Sequence, residues 1–316
     1  MPVQAPRDVL LVRPHHFRPN PQTAADNAFQ SAAGSTDLAE RAFHAVTTLA
    51  LRLRAAGVRA HVFDDPERHR PDSVFPNNWL STHACGRVAV YPMYAPNRRA
   101  ERRSDVLAFL RSRYTVDELV DYSAAEREGR FLEGTGAMVL DHVGSVAYAA
   151  RSRRVDPGLF AQFCDAFGYE PVLFDAVDPS GRPIYHTNVM MSVGTDFAMV
   201  GLDTVPDPAT RERITARLET TGRRVIALSH AQVAHFAGNA IELDAGSHRV
   251  LALSARAAAS LTLDQRSIIE QHCDLLPIDV APIELAGGSV RCMIAGIHLQ
   301  PRSEADSLAP EGLEAA

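Results

Sequence analysis

Four short stretches of this 316-residue chain carry side chains able to do covalent chemistry: Asp72-Ser-Val-Phe-Pro-Asn-Asn78, Phe131-Leu-Glu133-Gly, His186-Thr-Asn188 and Gly287-Gly-Ser-Val-Arg-Cys292. A thiolate is a strong nucleophile, an imidazole moves protons near neutral pH, and a carboxylate can orient that imidazole and stabilise its charged form. Cys292, His186 and Glu133 are therefore a candidate nucleophile, proton shuttle and orienting group, provided the fold brings them together. Singly, each has a plainer explanation. A buried cysteine is usually an inert small hydrophobe, as Cys85, Cys164 and Cys273 are expected to be. One of 13 histidines beside a strand means little, and Glu133 before Gly134 could merely begin a turn.

Composition removes several competing chemistries. All 32 basic residues are arginine, so a Schiff-base lysine, a pyridoxal phosphate anchor and a P-loop lysine are excluded. A biased genome explains the missing lysines. A net charge of -6, spread along the chain, offers no footprint for nucleic acid or an anionic membrane. The opening MPVQAPRDVLLVRP has too short an apolar run for a signal peptide, and no stretch approaches the ~20 apolar residues of a membrane span. Four cysteines without a CxxC pair favour reduced thiols and a cytoplasmic location.

The elements that must position the reactive residues form a repeat. Apolar hairpin patterns start at Asn78, Gly136, Asn188 and Asn239, and a fifth begins at Gly288, with separations of 58, 52, 51 and 49 residues. Between them lie amphipathic stretches, Glu101–Arg113, Pro157–Phe167, Pro208–Thr220 and Ser260–His272, with apolar residues at helical spacing. Asp156-Pro157 and Asp207-Pro208 read as helix caps. A further strand follows each helix, as in Glu170–Phe174, Arg224–Leu228 and Leu275–Val280. At the N-terminus, Asp8–Val12, Asp37–Ala55 and Arg59–Phe63 read as strand, helix and strand. The first and last segments together could then close a circular array. Asp72, Asn78, Glu133, His186 and Cys292 precede or open hairpins, and in such an array those positions converge on the axis. A generic α/β domain with coincidental spacing is the alternative.

In this order the four stretches resemble the guanidino-group-modifying enzymes, the superfamily of arginine deiminases, dimethylarginine hydrolases and amidinotransferases. The resemblance runs from about Val9 to Leu299 and lies nearest the citrulline-utilisation hydrolases. It implies a five-bladed α/β propeller, the pentein fold, with pseudo-fivefold symmetry. We expect one catalytic domain over residues 1–300 and a polar tail over 301–316. By resemblance, Cys292 attacks the guanidino or ureido carbon. His186 protonates the departing amine and then activates water, and Glu133 orients His186. No metal or organic cofactor is implied.

Two departures bear on the substrate. Where the deiminases and dimethylarginine hydrolases grip the guanidinium with a carboxylate three positions after the motif phenylalanine, this chain has Asn78. Where many deiminases carry an Asp two residues after the histidine, it has Asn188. Asp72 is left as the acidic substrate-binding candidate, with Asn27 a looser one. An amide supplies both a donor and an acceptor, which suits a neutral ureido group better than a guanidinium. Trp79 reads as site wall or core. For a substrate carboxylate, Arg13, Arg98, Arg130 and Arg291 are candidates, and Arg291 also stands beside the nucleophile.

The leading expectation is thus hydrolysis of citrulline to ornithine, carbon dioxide and ammonia. The alternatives are an arginine deiminase, an arginine dihydrolase or a dimethylarginine hydrolase, and further off an amidinotransferase or a catalytically silent binding relative. The expected partner is the small-molecule substrate, citrulline or an arginine derivative, with no nucleic acid and no membrane. Assembly as a homo-oligomer is left open.

Overall fold

The structure, a computed structural model, describes residues 3–31 and 37–302; the expected polar tail beyond residue 302 lies outside them. Two strands come first, β1 (Asp8–Pro14) and β2 (Arg59–Asp65). Four triplets follow: β3 (Leu80–Thr82), β4 (Arg87–Val90) and β5 (Glu118–Asp121); β6 (Met138–Asp141), β7 (Val146–Ala150) and β8 (Glu170–Phe174); β9 (Met191–Val193), β10 (Phe197–Val200) and β11 (Arg224–Ala227); β12 (Ile241–Asp244), β13 (Arg249–Ser254) and β14 (Asp274–Ile278). One short strand, β15 (Ala295–Ile297), ends the series.

Among the described residues these form five three-stranded sheets with one design. The first strand of each runs antiparallel to the middle one, and the third lies parallel to it. An antiparallel pair can be joined by a tight turn, whereas a parallel pair needs a crossover. Helices Leu38–Ala56, Ser104–Arg113, Pro157–Phe167, Pro208–Glu219 and Leu263–Glu270 supply the crossovers. The result is the five-bladed α/β propeller.

Closure comes from opposite ends of the chain. The stretch after Gly288 yields only β15, whose antiparallel partner is β1, with Asp8 opposite Ile297 and Leu10 opposite Ala295. β2 then pairs parallel with β1 and completes the blade. First strands of neighbouring blades touch, β15 with β3, β6 with β9 and β9 with β12, so the first strands ring the axis.

Local chemistry explains the helix boundaries. Asp156 accepts from the Leu159 amide and Asp207 from the Ala209 and Thr210 amides, each ahead of a proline in the first turn. The helix expected over Ser260–His272 is found as Leu263–Glu270, with a separate short helix ending at Ser260. Ser254 caps Ala255–Ser260, and Thr262 with Gln265 forms a capping box that starts a new helix at Leu263. Glu101 is not in the helix expected to begin there, because Pro96–Glu101 closes as a 3-10 turn and the helix starts at Ser104. Cys164 and Cys273 are buried as expected, but Cys85 is exposed in the turn between β3 and β4. Trp79 is fully buried with Leu10, Val12, Met93 and Ile297, a core position.

Candidate functional site

Each blade's first strand is preceded by one tight turn. Asn78 closes the turn Pro76–Asn78 before β3, and Glu133 opens Gly134–Ala137 before β6. His186 opens Thr187–Val189 before β9, while Cys292 sits in a turn whose amides return to the Ser289 carbonyl before β15. Because the first strands ring the axis, these turns meet at one end of it. Cys292, His186, Asp72, Asn78 and Asn27 line one small cavity with Thr23, Phe75, Arg98, Arg154 and Tyr185.

Glu133 is fully buried behind His186. Its Oε2 lies 2.8 Å from His186 Nε2 and accepts from Arg154 Nη1 at 3.1 Å, while Oε1 accepts from the Tyr94 amide at 2.9 Å. Arg98 Nη1 stands 3.6 Å away. Burial pushes the Glu133 carboxyl up, but Arg154, the His186 hydrogen bond and Arg98 together hold it well below the usual carboxylate range. A charged carboxylate at Nε2 fixes the tautomer: Nε2 carries the proton, and Nδ1 is left as the basic lone pair. Burial lowers His186 to about 4 against the opposing pull of Glu133, so the imidazole rests neutral near pH 7.

Gly136 keeps Nδ1 accessible. A Cβ there would stand 2.9 Å from His186 Nδ1 and 2.2 Å from Asn78 Oδ1. Gly134 is required for a different reason: its φ is +45°, and a Cβ would meet the Asn77 carbonyl at 2.4 Å. The Glu-Gly-Thr-Gly stretch is therefore a spacer that lets two turns approach.

The Cys292 sulfur receives amide donors from Asn239 Nδ2 at 3.1 Å and Asn188 Nδ2 at 3.3 Å. Asn239 Nδ2 also donates to the Asn188 carbonyl at 2.9 Å, which locks the pair. These amides fix the position of the sulfur. Asn188, expected at the substrate, thus faces the sulfur and does not line the cavity.

Asp72 accepts from Asn20 Nδ2 at 2.8 Å through Oδ2, with Arg98 Nε at 3.7 Å, and its Oδ1 is buried without a partner. Burial raises its carboxyl above the usual range, opposed by Arg98 and Asn20. The Asn78 amide is occupied inside the protein. In the orientation its neighbours satisfy, its oxygen accepts from Arg98 Nη1 at 2.9 Å and its nitrogen donates to Asn77 Oδ1 at 3.0 Å. Asn27 lines the cavity but spends its amide on the Ala286 carbonyl and the Phe29 amide.

Of the four arginines considered for a substrate carboxylate, Arg98 alone lines this cavity. Its charge is committed to Glu101, Asp72 and Glu133. Arg13 pairs with Asp64, Arg130 with Glu128, and Arg291 points into a different cavity. Arg154 and Asn239 escaped the sequence reading. Nothing distinguishes Arg154 within Arg151-Ser-Arg-Arg154, but Asn239 occupies the same repeat position as Asn78 and Asn188, so the period could have found it. Among the described residues, no cluster of three or more His, Cys, Asp or Glu side chains is placed to hold a metal ion. No described helix is long and apolar enough to cross a membrane.

Comparison with known proteins bears on the family and the fold. The family model described as N,N dimethylarginine dimethylhydrolase, eukaryotic, matches residues 13–299. The N-terminal domain of ArgZ, an arginine dihydrolase of the ornithine-ammonia cycle in Cyanobacteria, superposes with a TM-score of 0.71 at 15% identity, covering 91% of this chain and 96% of that domain. Unliganded AgrE gives 0.74 at 16% identity, and this chain (94% covered) spans 40% of it. A dimethylarginine dimethylaminohydrolase adduct gives 0.64 at 14% identity, covering 93% and 99%. At these identities the structural likeness speaks for the fold. No curated protein matches.

Two predictions follow from the buried site. His83 and His186, 3% and 2% exposed, titrate at about 3 and about 4 in the folded chain, below the ~6.5 of an unfolded one. Burial is the leading cause in both, and the unfolded chain binds more protons across the interval. Stability therefore rises with pH through this window and is lost as pH falls from about 6.5 toward about 4. Glu101, whose carboxyl burial pushes up to about 8, takes up its proton over the same interval and works in the opposite direction, so Tm should fall less between about pH 7 and about pH 5 in His83→Phe than in the wild type; equal slopes contradict the assignment. Gly136→Ala should lower kcat/KM by about 10²-fold by crowding Nδ1, with a circular dichroism spectrum like that of the wild type.

Proposed function

The chain belongs to the N,N-dimethylarginine dimethylhydrolase family, a hydrolase acting on C–N bonds other than peptide bonds, and from that premise we propose that it cleaves a guanidino C–N bond of an arginine-type amino acid and continues through the ureido product to ornithine. The observation that carries this reading is the partnerless Oδ1 of Asp72 in the cavity that also holds Cys292 and His186. A buried carboxylate oxygen without a donor costs about 1–3 kcal/mol, more when charged, and a guanidinium N–H satisfies it on binding.

The steps are as follows. The neutral His186 takes the Cys292 thiol proton at Nδ1, and the resulting imidazolium is stabilised by Glu133 through Nε2–H. The sulfur, held by the Asn188 and Asn239 amides, attacks the guanidinium carbon to form a C–S bond. The tetrahedral adduct collapses as one C–N bond breaks, and His186 protonates the leaving ammonia. Neutral again, His186 removes a proton from water as its oxygen attacks the thioester-like carbon. The C–S bond breaks, the thiolate is reprotonated, and the ureido compound remains. A second passage through the same cycle expels another ammonia. The hydrolysed product is a carbamate, which loses carbon dioxide to leave ornithine.

A single anionic clamp at Asp72 supports both halves, since it attracts the cationic guanidinium without a second carboxylate that would repel the ureido oxygen. Citrulline as the starting substrate is the second reading. It is favoured by the neutral amides Asn78 and Asn188 where guanidinium-gripping relatives carry carboxylates. The occupied amide of Asn78 weakens the donor-and-acceptor argument for it and moves the weight to Asp72.

Purified protein incubated separately with arginine, asymmetric dimethylarginine and citrulline should produce ornithine from arginine and from citrulline. Accumulation of citrulline without ornithine contradicts the second passage, and turnover of citrulline alone moves the assignment to the ureido hydrolase. Cys292→Ser should reduce kcat by roughly 10⁴-fold or more while Tm stays close to that of the wild type; an unchanged rate removes the nucleophile.

A further inference from the structure

A second cavity lies at the other end of the first strands. It is lined by Ser81 and Thr82 of β3, Leu140 of β6 with His142 beyond it, Ser192 of β9, Glu242 of β12, and Gly296 and His298 in and after β15, so every blade contributes. It shares no lining residue with the cavity of Cys292. Arg291 also lines it, although the next residue, Cys292, lines the first cavity.

Arg291, half-buried, differs from the fully buried arginines of the axis. Arg98, Arg154 and Arg223 are each held by carboxylates. Arg291 has none within 4.0 Å among the described residues, and its side chain makes one hydrogen bond, from Nη1 to the Ile294 carbonyl at 3.0 Å. The rest of the fork is left without a protein acceptor. Burial lowers its pKa to about 10, so it is a cation near neutral pH whose desolvation no acid offsets. Glu242 also lines the cavity; Thr195 donates to its Oε2, and its Oε1, without a hydrogen bond, has the Arg249 guanidinium 3.4 Å away to balance its charge. Asp141, beside His142, is taken by both ends of Arg223.

Neutral donors share the cavity with this cation. Ser192 Oγ is buried and has no partner. His298 stacks on His142 with ring centroids 4.0 Å apart, and its ring makes no hydrogen bond to the described residues. His142 uses Nδ1 on the Tyr169 hydroxyl at 2.8 Å, which leaves Nε2 free. Arg291, His142 and His298 are each partly exposed, so the cavity communicates with solvent. The cavity volume is about 50 Å³, against the ~10–15 Å³ that one water requires. That admits a few waters or one anion of four or five heavy atoms.

We propose that this axial cavity is a binding site for a small oxyanion, a carboxylate or a phosphate, held by the Arg291 guanidinium with Ser192 and His298 as supporting donors.

The test is thermal denaturation of the full-length protein in rising acetate, and separately in rising inorganic phosphate, with ionic strength held constant by sodium chloride. A saturable rise in Tm is expected for the wild type and equally for Cys292→Ser. Acetate acting alone identifies a planar carboxylate site, and phosphate alone a tetrahedral one. Arg291→Gln should weaken the apparent affinity at least tenfold, and Ser192→Ala should weaken it less. No saturable rise in the wild type, or the same rise in Arg291→Gln, overturns the proposal; the latter would assign binding to the arginines of the substrate cavity. If Arg291→Gln does not fold, Arg291→Lys and Ser192→Ala decide, because undiminished affinity in both is equally fatal.

Discussion

The Glu133–His186 hydrogen bond is the contact around which the site is arranged. It places a carboxylate with no solvent exposure at the centre of the molecule, and an isolated ion in such a position costs several kcal/mol. Arg154 and Arg98 offset that cost, and each brings its own requirement. Arg154 is shared with Asp26, while Arg98 is held by Glu101 and approached by Asp72. The charges therefore stand or fall as a set. The set reaches from the N-terminal loop through three blades, so the catalytic geometry and the packing of the axis are one constraint.

Propeller symmetry makes such a set attainable. Five blades deliver five turns to one end of the axis, and a single residue in each turn is enough to build the site. Asn78, Glu133, His186, Asn239 and Cys292 arrive this way, each from a different blade. The opposite ends of the same strands produce a second chamber with another character. There the arginine has no acid partner, and the histidines are held neutral by burial. Arg291 and Cys292 are consecutive residues whose side chains serve the two chambers, which ties them electrostatically across a single peptide bond.

Substrate selection turns on which polar groups remain unspent after folding. The amides of Asn78, Asn188 and Asn27 look alike as substrate contacts when only residue type is known. In the fold, the first answers Arg98, the second the Cys292 sulfur and the third the backbone at Ala286. Asp72 keeps one oxygen free. A bound substrate must therefore satisfy an acceptor, and that condition narrows the chemistry more than the count of amides does.

The period of about fifty residues, the alternation of hairpin and helix, and the placement of Glu133, His186 and Cys292 at blade starts were all legible in the linear chain. They are local matters: strand alternation, proline and aspartate caps, and glycine where two turns must meet. The start of the helix at Leu263 was also a local signal, carried by the Thr262–Gln265 capping box. Partner choice was not local. β1 completes a blade with β15 across almost the entire chain, Arg154 is one arginine among 32, and nothing in the sequence shows that Arg98 is ion-paired while Arg291 has no carboxylate within 4.0 Å among the described residues. Hydrogen-bond saturation and charge pairing depend on what the folded chain brings within about 3–4 Å. For this protein, residue type and spacing supplied the reactive groups, and tertiary structure decided which of them are spent on the protein and which are left for a ligand.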